Sequence, residues 1–190
     1  RESFAKNRAW KDIVFDLLSA EGHMDENGAA NFLMAHLNDG AVPATAISAK
    51  LFLGTQVQCT QCHNHPFNDW KQDQFWEFAA FFSTQPQVFR RPGIQPKQAP
   101  PAFTAGREIR VPGTDKIVKA KFLNGKEPKW EGFTNSRQTL ANWVTAPDNP
   151  YFARAIVNRV WAAYFGKGLI DPVDALGAAN PPSHPEVMDE

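Results

Sequence analysis

Both cysteines of this 190-residue chain lie in one short motif, Cys59-Thr60-Gln61-Cys62-His63. Two thiols three positions apart, followed directly by a histidine, have the spacing at which c-type haem is attached. Each thiol can add to one vinyl group of the porphyrin, and the adjacent imidazole can then reach the iron. The motif therefore predicts a covalent haem c held by Cys59, Cys62 and His63, with His63 as the proximal ligand.

The same side chains allow two other interpretations. Thiolates and imidazoles are the ligands that zinc prefers, so Cys59, Cys62, His63 and His65 could form a four-ligand structural site. Zinc ligands usually come from two separated segments, however, and four within so short a stretch would strain the backbone. A plain disulfide, or a pair of buried thiols, is the third interpretation. The sequence leaves all three open.

A haem iron has a sixth coordination position, and small c-type cytochromes usually fill it with a downstream methionine. This chain has no methionine between Met34 and Met188. An open position would favour reactions with small molecules, whereas a filled one would favour electron transfer. The candidates for the sixth ligand are His65, His36 and Met34, followed by His23, Met24 and His184.

Composition excludes several classes of partner. Twenty basic and twenty acidic residues give a net charge of zero, so nothing steers the chain towards nucleic acid or an anionic membrane. No apolar run approaches the roughly 20 residues of a membrane span.

The aromatic content is high. Six Trp and fifteen Phe against two Tyr suit a pocket for a flat apolar cofactor, although an aromatic core accounts for most of them. No signal peptide is visible, and both chain ends suggest a piece of a longer polypeptide.

Hydrophobic periodicity predicts a mainly α fold. The predicted N-caps are Asn7, Asn68 or Asp69, and Ser136. The first helix is the clearest, because its apolar residues recur at helical spacing from Trp10 to Leu18. The predicted helices are residues 10–18, 28–37, 43–53, 68–82, 136–145 and 151–165.

Residues 84–134 differ in character, because prolines cluster there and no helical period survives. Residues 108–111 and 116–122 flank a Pro-Gly-Thr-Asp turn, which predicts a β-hairpin. The predicted organisation is a helical cytochrome-c-like domain over residues 1–83, a proline-rich, partly β insertion over residues 84–134, and the helical start of a second domain over residues 135–190.

Two polar residues of the last long helix are further candidates for cofactor contact. Arg154 and Asn158 are four positions apart and therefore share a helix face. They could hold haem propionates or another carboxylate. The commoner role of such residues is a surface contact or a salt bridge.

Long stretches of the chain resemble a known group of sequences. Residues 51–67, which contain the motif, resemble large planctomycete proteins with a cytochrome-c-like domain called planctomycete cytochrome type two. Residues 140–143 and 149–161 resemble the start of the planctomycete-specific domain that follows it, and residues 181–185 fit that second domain too.

The resemblance implies a periplasmic or extracellular protein with an unidentified redox partner. We expect a c-type haem domain for electron transfer or redox catalysis, with the possibility of a haem-dependent oxidoreductase. The alternative is a non-redox module with a structural zinc-like Cys/His site. Proteins of this kind often occur beside polysaccharide-degradation genes, so that module would bind or hydrolyse polysaccharide-related ligands.

Overall fold

The computed structural model describes residues 2–22, 25–37, 41–83, 107–131 and 135–188. Eight α-helices lie within these ranges, so the predicted mainly α fold is confirmed. His23, Met24 and the greater part of the proline-rich insertion lie outside the described residues. The helices are α1 (Glu2–Ala5), α2 (Trp10–Ser19), α3 (Ala30–His36), α4 (Ala41–Phe52), α5 (Gln72–Ala79), α6 (Ser136–Val144), α7 (Phe152–Phe165) and α8 (Pro185–Met188).

The remaining regular elements are short. Two 3₁₀ turns, Gln58–Gln61 and Ala80–Phe82, follow α4 and α5 respectively. Strands β1 (Glu108–Arg110) and β2 (Ile117–Lys119) pair in antiparallel register, which confirms the predicted hairpin. In the described ranges, no helix combines the length and the apolar character that crossing a bilayer requires.

The predicted N-caps were wrong. The N-cap position of α2 is Ala9, and Asn7 instead adopts a left-handed conformation after the end of α1. Helix α5 begins after Lys71, whose N–H is bound by the Gln74 side chain, because the Asn68 side chain already accepts the Trp70 N–H. The cap of α6 is Asn135 rather than the next residue.

A core rich in aromatic side chains joins the predicted parts of the chain. Phe75, Phe78 and Phe81 are fully buried, as expected for a helix that is apolar on several sides. The Phe122 ring stacks on both Phe81 and Trp143, with ring centroids 5.2 Å and 4.7 Å apart. The segment after β2 is thus held between the 3₁₀ turn that follows α5 and helix α6, and these described aromatic side chains serve packing.

The C-terminal segment docks on the end of α4. Gly54 has a positive φ of 62°, and a Cβ there would lie 2.8 Å from a methyl group of Leu176. The Leu176 N–H donates to the Gly54 carbonyl at 2.8 Å. Asp174 accepts a hydrogen bond from Gln56 and pairs with Lys50 at 3.3 Å. These contacts hold residues 174–176 against the loop that leads into the motif.

Arg137 joins α6 to the end of α2. Its buried guanidinium donates to the carbonyls of Leu18 and Ala20, at 3.3 Å and 2.7 Å. Burial lowers the pKa of Arg137, and the nearby Glu21 carboxylate opposes that shift. The guanidinium satisfies carbonyls that the last turn of a helix leaves without an intrahelical partner.

Replacing Arg137 with Leu should destabilise the protein by about 1–3 kcal/mol, because the buried carbonyls lose their donors. Arg110→Leu is the control: Arg110 is exposed on β1 and pairs with Asp115, so its loss should cost about 0.5 kcal/mol or less. Urea unfolding of both variants measures the difference. Equal stability of the two variants would show that Arg137 does not hold α2 and α6 together.

Candidate functional site

The two thiols of the motif stand on a single 3₁₀ turn. Gln58–Gln61 form this turn, and Cys62 follows it with helical dihedral angles. Residues three apart are eclipsed in a 3₁₀ helix, so the side chains of Cys59 and Cys62 leave the turn on the same side. Both are exposed and unpaired. Between them, buried Thr60 closes the turn by donating from its hydroxyl to the Val57 carbonyl at 2.6 Å.

Helix α5 fixes the turn through its side chains. The Trp76 indole N–H donates to the Gln61 carbonyl at 3.0 Å. The Gln72 amide donates to the carbonyls of Gln61 and Cys62, at 3.2 Å and 3.0 Å. The sequence did not predict either of these contacts with the turn. The one signal that could have indicated the Trp76 contact is that a buried indole N–H needs a hydrogen-bond acceptor.

His63 has a defined tautomer. Its Nδ1 lies 2.7 Å from the Asn64 carbonyl oxygen. A carbonyl oxygen can only accept, so Nδ1 carries the proton and donates it. The lone pair of the neutral ring then resides on Nε2, on an exposed side chain. This is the arrangement in which a histidine binds a metal through Nε2, while a backbone carbonyl orients the ring.

His65 has the opposite tautomer. Its Nδ1 accepts the Phe67 backbone N–H at 3.2 Å, so the proton of the neutral ring resides on Nε2. The His65 backbone N–H donates to the Trp70 carbonyl at 2.8 Å, which closes the loop after the motif. His65 therefore presents a donor and not a lone pair at its outer nitrogen.

The other proposed ligands lie on different elements. His36 ends α3, where its Nδ1 is 2.6 Å from the Phe32 carbonyl oxygen and its ring lies 5.1 Å from that of Phe32, tilted by 47°. Met34 lies on the same helix, which packs against α2 and α4. His184 precedes α8 and lies 3.1 Å from the Ser183 hydroxyl. Across the described ranges, no three His, Cys, Asp or Glu side chains come together as a metal site.

A groove of about 1000 Å³ opens beside the motif. Its near wall comes from the loop that follows the motif, with His65, Phe67 and Trp70. Phe67 is 87% exposed, which is unusual for so large an apolar ring. The volume lies at the upper end of the range for small-molecule and cofactor sites.

The far wall of the groove comes from the C-terminal part of the chain. Tyr151, Arg154 and Leu176 line it. Burial raises the pKa of Tyr151. Asn158 does not reach the groove, because its buried amide bonds the backbone of Ile170, as donor at 2.8 Å and acceptor at 2.9 Å. Arg154 and Asn158 were predicted to share a helix face, but only Arg154 lines the groove, while Asn158 is buried against the backbone of Ile170.

The two tautomers can be tested directly. We expect the ¹⁵N spectrum of the haem-free protein above pH 8 to show His63 protonated at Nδ1 and His65 protonated at Nε2, because each Nδ1 has a fixed partner. His63→Ala and His65→Ala assign the two signals. The same tautomer at both positions, or equal populations of both forms, would contradict the hydrogen bonds described above.

Comparison with known proteins agrees with the two resemblances in the sequence. Residues 1–87 match the family PSCyt2, a protein of unknown function (DUF1549). Residues 136–190 match the family PSD1, also a protein of unknown function (DUF1553). Neither the curated proteins nor the solved structures contain a match to this chain. The chain thus carries a PSCyt2 domain at its N-terminus and PSD1 sequence at its C-terminus, both of them planctomycete cytochrome-like families.

Proposed function

We propose that the motif attaches a c-type haem and that the protein acts outside the cytoplasm in electron transfer or redox catalysis. Cys59 and Cys62 would form the two thioethers, and His63 Nε2 would bind the iron. When bound, haem supplies one-electron chemistry, whose course depends on axial ligands, hydrogen bonds and burial. The observation that carries the proposal is the tautomer of His63 beside two unpaired thiols.

The residues present fit this group in three respects. The thiols of Cys59 and Cys62 are exposed on the same side of one turn, so both can be reached from solvent. His63 offers a lone pair at Nε2, and its Nδ1–H is held by a carbonyl. Hydrogen bonds from Trp76 and Gln72 fix the backbone between the three side chains. The chain thus presents its donors without first having to refold.

The zinc alternative has less support from the geometry. Four tetrahedral ligands would require Cys59, Cys62, His63 and His65 to converge, and in the described part of the chain no three such residues do so. His65 would also have to give up the hydrogen bond from Phe67 before either ring nitrogen could bind zinc with its present protonation. A structural zinc site would therefore need the loop to rearrange.

Expression of the chain with haem-attachment machinery should give coloured protein whose Soret absorbance remains with the polypeptide after denaturation. Intact mass should increase by one haem. The double variant Cys59→Ser/Cys62→Ser should be colourless after denaturation, while the matched variant Thr60→Ser should keep the haem, because it retains the hydroxyl that closes the turn. Colourless wild-type protein that contains one zinc ion, or a Cys59–Cys62 disulfide, would reject the proposal.

His65 should not be the sixth ligand, because its Nδ1 is engaged and its Nε2 carries a proton. In haem-loaded protein, His65→Ala should leave the ferric spin state unchanged in the electron paramagnetic resonance spectrum. His63→Ala should change that spectrum, because it removes the proximal ligand. A change from low to high spin in His65→Ala would show that His65 does bind the iron.

A further inference from the structure

We propose that Asn64 is the positioning residue of His63. Its side chain, anchored on the first residue of α5, holds its own backbone carbonyl where the His63 Nδ1–H needs an acceptor. This inference rests on the proposed binding of iron through His63 Nε2, and it names the residue that keeps that nitrogen free of a proton. Asn64 itself would contact neither iron nor porphyrin, and it would act only through the ring of His63.

The His63 ring depends on a polar contact for its orientation, because its side chain is exposed. A neutral imidazole carries its proton on either nitrogen, and the hydrogen bond at one nitrogen decides which. Here that bond runs from Nδ1 to the Asn64 carbonyl oxygen, over 2.7 Å. Metal-binding histidines are commonly oriented by such an acceptor at the nitrogen that does not bind the metal. The position of the Asn64 carbonyl therefore decides whether Nε2 offers a lone pair.

The Asn64 side chain reaches across the loop to α5. Its Oδ1 accepts the backbone N–H of Gln72 at 3.0 Å, eight residues further along the chain. Gln72 is the first residue of α5, so its N–H belongs to the first turn of the helix, whose N–H groups have no intrahelical partner. Asn64 thus satisfies a donor at the end of the helix. Its side chain is fixed to α5, while its carbonyl is fixed to the ring of His63.

Gln72 ties the same helix end back to the motif. Its side-chain amide donates to the carbonyls of Gln61 and Cys62, while its backbone N–H donates to Asn64. The backbone before His63 and the residue after it are therefore both attached to one residue of α5. His63 lies between two fixed points, as a preorganised ligand requires.

The first test determines the His63 tautomer in the haem-free full chain above about pH 8, by the ¹⁵N spectrum described above. Asn64→Ala removes the anchor, so the ratio of the Nδ1–H form to the Nε2–H form should fall about three- to tenfold, as expected for loss of a hydrogen bond of ordinary net strength. Asn64→Asp keeps an acceptor oxygen for the helix end and should restore the wild-type ratio to within about twofold. Asn68→Ala is the matched control, because Asn68 lies in the same loop and accepts the Trp70 N–H at the same 3.0 Å. It should change the ratio by less than about twofold, since it leaves the Asn64 anchor in place.

A second pair of variants tests the anchor from the helix side. Gln72→Ala removes only the side chain, whereas Gln72→Pro also removes the backbone N–H that Asn64 binds. Proline is tolerated at the first position of a helix, and Lys71 already has the extended backbone, with a ψ of 152°, that a following proline favours. The tautomer ratio in Gln72→Pro should therefore lie about three- to tenfold below that in Gln72→Ala.

The outcomes separate this inference from the proposed function. Equal ratios in Asn64→Ala and Asn68→Ala, equal ratios in the two Gln72 variants, or an unrestored ratio in Asn64→Asp would each overturn the role of Asn64. A fall in Asn64→Ala and Gln72→Pro, measured against their controls, with recovery in Asn64→Asp, would support it. Every spectrum is of haem-free protein, so the result does not depend on haem attachment. A wild-type chain that takes up no covalent haem would overturn the proposed function and leave the tautomer ratios as measured.

Discussion

The site depends on the hydrogen bonds that α5 makes to the carbonyls of the motif turn. Trp76 and Gln72 hold the backbone of Gln61 and Cys62, while the two thiols and the His63 side chain of the motif remain exposed. Helix α5 can hold the turn because it is itself fixed by Phe75 and other buried rings. A rigid core thus positions an exposed reactive motif, which is the arrangement that preorganised sites require.

Backbone contacts also decide how His63 of the motif differs from His65 in the loop that follows it. Residue type and spacing predicted His63 as the proximal ligand and left His65 as a candidate for the sixth position or for a zinc site. The structure separates them, because the Asn64 carbonyl takes the proton of one ring and the Phe67 amide donates to the other. This distinction was not predictable from the sequence, since it depends on the path of the loop and not on which residues it contains.

The sequence predicted where the helices lie, but it did not predict the caps and tertiary contacts of their side chains. Periodicity located α2 and α7 because each has an apolar stripe that repeats at helical spacing. It misplaced the cap of α5, because Asn68 is engaged with the Trp70 amide instead. It also grouped Arg154 with Asn158, and the fold buried Asn158 when the chain after α7 turned back onto it. Such contacts are tertiary, so no local pattern reports them.

Trypsin mapping of haem-loaded protein tests the central claim most directly. Cleavage after Lys50 and Lys71 releases residues 51–71, which contain both cysteines of the chain and His63. If the two sulfurs carry the porphyrin, all of the covalently bound haem absorbance and the added mass should be found on this one peptide. Recovery of that peptide with an internal disulfide, or with two unmodified thiols and no haem, would contradict the account.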